Sequence, residues 1–194
     1  MKICIYGASS PEIDKSYIEA TYNLAYALGK NGHSLVFGAG DNGLMGAAAR
    51  GFYDNGCEII GVIPKFFNVD GVVFKGCTEL IKTDTMRTRK QKMDDLAEAF
   101  ITTPGGIGTY EEFFEIITLK QLCQSKKPLV LYNINGYFEP LRALLQSCVD
   151  GKFMPKDSMK LCFFSDNIDE IISYIENYSA EFEDISALKY IKND

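Results

Sequence analysis

The chain has 194 residues, 46% of them hydrophobic and 24% charged, with a net charge of −6. That is the size and composition of one globular domain, and it excludes a disordered chain, a fibre and a low-complexity tail. Residues 166–194 hold eight acids against two bases, while the first 165 hold 18 of each; a neutral body with an acidic end has neither the basic stripe of a nucleic-acid-binding surface nor the basic patch that meets an anionic membrane.

Short apolar runs alternate with helical periodicity along the chain. Residues 3–6 are a predicted strand ending in Gly7-Ala8-Ser9-Ser10, and Tyr17, Ala20, Leu24, Ala27 and Leu28 recur at helical spacing between about 16 and 30. His33, the single histidine, reads as a turn residue. With the six cysteines at neither C-x-x-C nor zinc spacing, this disfavours histidine-ligated metals and histidine-assisted serine or cysteine catalysis. A strand at 34–37 runs into Gly38-Ala39-Gly40, a helix spans 44–53, and a strand at 58–63 stops at Pro64. Residues 65–77 read as a loop. A short strand at 79–82, a helix at 85–98, a strand at 99–102 and a helix at 109–124 follow. The pattern then gives a strand at 128–132, a helix at 137–149, a strand at 161–164 and a helix at 167–178.

Strands and helices in alternation predict a Rossmann-like, doubly wound α/β fold: one mainly parallel sheet with helices on both faces. Residues 1–178 form the expected single domain and 179–194 an acidic tail. Apolar, unpaired cysteines fit a reducing compartment, and no secretory signal pattern or 18-residue apolar run is visible. The expectation is a cytoplasmic protein with no membrane or nucleic-acid partner.

Ligands of such a fold bind where strand ends meet helix starts, and three of these junctions are glycine-rich. Gly38, Gly40 and Gly43 spell G-x-G-x-x-G, but in the second strand–helix unit and without an acid at the end of the next strand. Tight turning and close backbone approach to a phosphate or sugar explain these glycines better than a dinucleotide does. Pro104-Gly105-Gly106-Ile107-Gly108-Thr109 leaves backbone N–H groups uncovered at a helix start, a setting for a phosphate. Thr109-x-x-Glu112 also fits a capping box, in which Glu112 would simply close the helix start. On the helix at 85–98, Arg89 and Lys90 share a stripe with Met86 and Met93. They are either snorkelling side chains or a cationic wall over a nucleotide.

Taken together, Pro104-Gly105-Gly106-Ile107-Gly108-Thr109-Tyr110-Glu111-Glu112, Met86-Arg87-Thr88-Arg89-Lys90, Gly43-Leu44-Met45-Gly46 and Gly61-Val62-Ile63-Pro64 resemble the Lonely Guy family of cytokinin riboside 5′-monophosphate phosphoribohydrolases, long labelled lysine decarboxylases. The resemblance runs from about residue 2 to 178. It implies Arg89 and Glu112 as the catalytic pair. Substrate contacts would come from Ser9, Gly40, Gly43, Met86, Lys90, Gly105, Gly106, Ile107, Gly108, Thr109, Glu111 and Thr118. The chain departs from many relatives at Arg87, where they have His, and at Ala39, where they have a third successive glycine.

The expected activity is hydrolysis of the N-glycosidic bond of an adenine-type nucleoside 5′-monophosphate to free base and ribose 5-phosphate, with no metal or redox cofactor implied. The rival is a non-catalytic nucleotide or molybdenum-cofactor carrier on the same fold, which needs the glycine loops but not the Arg89–Glu112 pair. The helix at 109–124 carries more apolar residues (Phe113, Phe114, Ile116, Ile117, Leu119, Leu122 and Cys123) than one buried stripe requires. A homodimer is therefore expected.

Overall fold

The computed structural model describes residues 1–67 and 71–180. Most of the predicted acidic tail, from 181 onward, lies outside the described residues. The chain runs β1 (Lys2–Tyr6), α1 (Lys15–Lys30), β2 (Ser34–Phe37), α2 (Gly43–Tyr53), β3 (Ile59–Pro64), β4 (Glu79–Thr83), α3 (Met86–Leu96), β5 (Ala99–Thr102), α4 (Ile107–Gln121), β6 (Leu129–Tyr132), α5 (Glu139–Asp150), β7 (Phe163–Ser165) and α6 (Ile168–Glu176).

The seven strands form one sheet in the order β4-β3-β2-β1-β5-β6-β7, and every pair is parallel. The short inner strands are mostly apolar because both faces are covered. Alternation along each strand divides the core. Ile3, Ile5, Leu35, Phe37 and Ile101 pack with α1, α2 and α6. Cys4, Tyr6, Val36, Phe100 and Leu131 pack with α3, α4 and α5. The chain winds outward from β1 to β4, then returns to place β5 on the other side of β1. The carboxyl ends of β1 and β5 therefore border the crevice that this reversal leaves, the usual ligand position in such sheets, with the end of β2 beside it.

Three predicted elements change bounds for reasons the structure shows. The helix expected to reach residue 98 stops at Leu96. Ala97 is extended and buried, and the Glu98 N–H donates to the Lys2 carbonyl at 2.7 Å, so the chain is already entering the sheet. The helix expected from 137 begins at Glu139, with proline in its first turn, after a 3-10 turn at Ile134–Gly136. The strand expected at 161–164 is displaced to Phe163–Ser165, because Lys156–Leu161 is a 3-10 helix that buries Leu161 against the α4–α5 face. His33 is more than a turn residue: it is buried, and its Nε2 lies 3.0 Å from Glu176 Oε1. Among the described residues no helix is long and apolar enough to cross a membrane.

Candidate active site

A cavity of about 380 Å³ opens at the carboxyl ends of the strands. The turn after β2 and the start of α2 supply Gly38 to Asn42 and Met45, the end of β3 supplies Ile63 and Pro64, and Ser9, Phe67, Val72, Met86 and Arg89 complete it. Two glycines make this geometry available. Gly43 has φ +58°, and a Cβ there would lie 2.5 Å from the Ala8 carbonyl oxygen, so the turns after β1 and β2 touch through bare backbone. At Gly38 a Cβ would lie 2.1 Å from Arg89 NH2; the absence of a side chain leaves room for the guanidinium. Between them Ala39 has φ 63°, a left-handed conformation for which glycine is better suited.

Arg89 comes from the first turn of α3, whose start is fixed by a reciprocal Thr85–Thr88 capping box. It is buried and held at two points: Nε donates to the Val62 carbonyl at 3.1 Å, and NH1 donates to Glu112 Oε1 at 3.0 Å. Only 10% of the Arg89 side chain and 12% of that of Glu112 are exposed. Burial raises the Glu112 pKa, and the Arg89 charge and hydrogen bond only partly oppose that rise. The result is a desolvated carboxyl group beside a fixed cation, holding its proton more tightly than an ordinary glutamate. Two charges facing the core are here paired rather than snorkelling.

The helix that carries Glu112 begins earlier than its sequence indicates. α4 starts at Ile107 with Gly106 as its cap, and no side chain caps it. Thr109 is therefore the third residue of the helix rather than its cap. Glu112 lies in the second turn, turned to Arg89, and closes no capping box. Glycine is a poor helix former, which is why Gly108 reads as loop; the preceding Pro104-Gly105-Gly106 turn nevertheless sets the helix going at once. The consequence is chemical: the N–H groups of Ile107, Gly108 and Thr109 have no intrahelical acceptor. They stand at the positive end of the helix dipole, on a loop tied to β1 by the Ala8 N–H to Pro104 carbonyl bond of 3.1 Å.

Of the expected site residues, Ser9, Gly40, Met86 and Arg89 line the cavity, with Gly43 beneath it. Met86 is 45% exposed there and is not part of the buried stripe, which holds Met93. Gly105, Gly106, Ile107, Gly108 and Thr109 form the neighbouring helix start. Lys90 is held by Glu111, and by Glu115 at 2.7 Å, so it fastens α3 to α4. Burial tends to lower its pKa, but the two carboxylates raise it overall. Thr118 is not brought to the cavity: it is exposed, and its hydroxyl donates to the Phe114 carbonyl of its own helix at 2.6 Å. Sequence reasoning missed Asp41, Asn42, Phe67 and Val72. Asp41 and Asn42 lie inside the G-x-G-x-x-G stretch, where attention to the glycines obscured them. No local pattern marks Phe67 or Val72.

The family model described as "Possible lysine decarboxylase" matches residues 45–175. A cytokinin riboside 5′-monophosphate phosphoribohydrolase of Arabidopsis thaliana is 32% identical over 183 residues, spanning 94% of this chain and 86% of the relative. One from Oryza sativa subsp. japonica is 35% identical over 182 residues, spanning 94% of this chain and 75% of the relative. Among solved structures, the molybdenum cofactor carrier protein of Chlamydomonas reinhardtii aligns with a TM-score of 0.67 at 17% identity, over 90% of this chain and 95% of that one. A likeness at that identity shows the shared fold alone.

Proposed function

This chain belongs to the family of the cytokinin riboside 5′-monophosphate phosphoribohydrolases, enzymes that hydrolyse an N-glycosidic bond, and from that membership we propose that its substrates are nucleoside 5′-monophosphates bearing an adenine-type base. Water adds its hydroxyl to C1′ of the ribose and its proton goes to the departing base, giving free base and ribose 5-phosphate.

The observation that carries this reading is the buried Arg89–Glu112 pair, with Arg89 on the cavity wall and Glu112 in the second turn of the helix whose start suits a phosphate. The phosphate binds the N–H groups of 107–109, and the base enters the cavity. Glu112 offers negative charge to the oxocarbenium-like sugar and a base for the attacking water. Arg89, tied to the Val62 carbonyl, keeps that carboxylate in place. Lys90, paired with Glu111 and Glu115, braces α3 against the helix that carries Glu112. The six free cysteines support a reducing, cytoplasmic setting. Residues 1–178 are read as one catalytic domain that works as a homodimer.

The words "lysine decarboxylase" imply pyridoxal phosphate, and the residues present do not fit it. Among the described residues, Arg89 is the one cation lining the cavity, and no lysine amine lies there. The test is incubation of the purified chain with AMP, followed by chromatography. Adenine and ribose 5-phosphate in equal amounts are expected; tight nucleotide binding without any adenine release would instead fit a carrier.

A further inference from the structure

We propose that Asp41 selects the base: its carboxylate accepts a hydrogen bond from an exocyclic N–H of the nucleobase and so restricts the enzyme to aminopurine nucleotides. The inference rests on the phosphoribohydrolase reading above and adds to it the group that recognises the leaving base.

The cavity walls are mostly apolar, with Met45, Ile63, Pro64, Phe67, Val72 and Met86 around a space suited to a flat ring. Among the described residues Asp41 is the one acid on that lining. An anion is out of place near a phosphate, so the part of the substrate beside Asp41 is the end remote from the helix start. Glu112 is occupied with the sugar, which leaves the base.

The main chain of Asp41 is fixed by hydrogen bonds, while its side chain is 42% exposed. Its N–H donates to the Val72 carbonyl at 2.9 Å, and the adjoining Gly40 bridges Val73. Arg50 NH1 donates both to the Asp41 main-chain carbonyl, at 3.0 Å, and to Oδ1, at 3.1 Å. Oδ2 has no protein donor among the described residues. A carboxylate with one oxygen secured and one open is an acceptor alone, so it favours a ligand edge that donates. A 6-aminopurine offers such an N–H, and a singly N6-substituted one keeps it. A purine without the amine does not, nor does an N6,N6-dialkylated one.

The experiment measures kcat/KM for AMP and for purine riboside 5′-monophosphate, which differs only by lacking the amine, in the parent chain and in Asp41→Ala and Asp41→Asn. Comparing ratios cancels the intrinsic difference between the two leaving groups. A hydrogen bond to a charged but partly exposed carboxylate should make the parent's AMP preference about tenfold larger than that of the Ala variant. Asn, an uncharged acceptor, should fall between, and it decides the matter if the Ala variant fails to fold. A ratio that is the same in the parent and the variants overturns the proposal. If the parent hydrolyses neither nucleotide, the functional reading fails separately, and dissociation constants for the same pair are compared in the same way. Equal ratios there, or no binding of either nucleotide, also overturn the role of Asp41.

Discussion

Gly38 decides where Arg89 stands, and through it the state of Glu112. A methyl group at position 38 would overlap Arg89 NH2. Gly38→Ala is therefore expected to displace a guanidinium fixed at both Val62 and Glu112, lowering turnover of AMP about tenfold or more while leaving the fold intact. Steady-state kinetics beside circular dichroism checks this; unchanged kcat would mean that the guanidinium position does not matter. Glu112 also predicts a pH effect. Its pKa is raised above the ordinary 4.5 because burial outweighs Arg89. On the proposed mechanism the ionised form is the working one, so the acid limb of kcat should have its midpoint above 4.5; a midpoint at or below that value would contradict it. Stability runs the other way: the folded state holds this proton more tightly than the unfolded chain, so the contribution of Glu112 to stability declines as pH rises through the same interval. The sequence paired Arg89 with Glu112 only through motif resemblance. Their 23-residue separation hides a contact made by two helices on one face of the sheet.

The start of α4 shows how a local signature can mislead. T-x-x-E is a sound capping pattern, but Gly106 caps this helix and the Thr109–Glu112 box is absent. The uncapped N–H groups lead to a prediction: AMP should exceed adenosine in kcat/KM by orders of magnitude, since each charge-assisted hydrogen bond to phosphate contributes about 1.5–3 kcal/mol. Equal cleavage of nucleotide and nucleoside, measured by release of adenine, would show that the helix start holds no phosphate. Most strands and helices were legible because inner parallel strands are continuously apolar and flanked by glycine turns. The boundaries that moved were those decided by tertiary contact, as at Ala97, where joining the sheet ends α3 before its helical pattern does.

The alternation of strands and helices was enough to anticipate one parallel sheet covered on both faces, whereas the strand order and the cavity it creates came only from the structure. The surplus apolar arc expected on α4 is narrower than the sequence implied. Phe113, Ile116 and Ile117 are buried within the chain and Leu119 and Cys123 are half-buried, leaving Phe114 and Leu122 as its exposed part, with Ile107 exposed beside them at the helix start. With Glu111, Glu115 and Thr118 these three recur at helical spacing along one outer face. A second copy is expected to cover that face, and light scattering at micromolar concentration should give twice the chain mass. A monomer would contradict it.

The catalytic assignment of Glu112 is tested most directly by Glu112→Gln. The amide oxygen can still accept from Arg89 NH1, so the buried contact survives in neutral form. Removing Arg89 instead would leave a carboxylate buried without its partner, a change that typically costs about 3–5 kcal/mol. Thermal unfolding and adenine release from AMP are measured on the same preparations. The account predicts a folded Gln variant that still binds AMP and hydrolyses it at least about a hundredfold more slowly, the lower end for loss of an acid–base group. A folded variant with near-normal turnover would contradict it, leaving Glu112 as no more than the structural partner of Arg89.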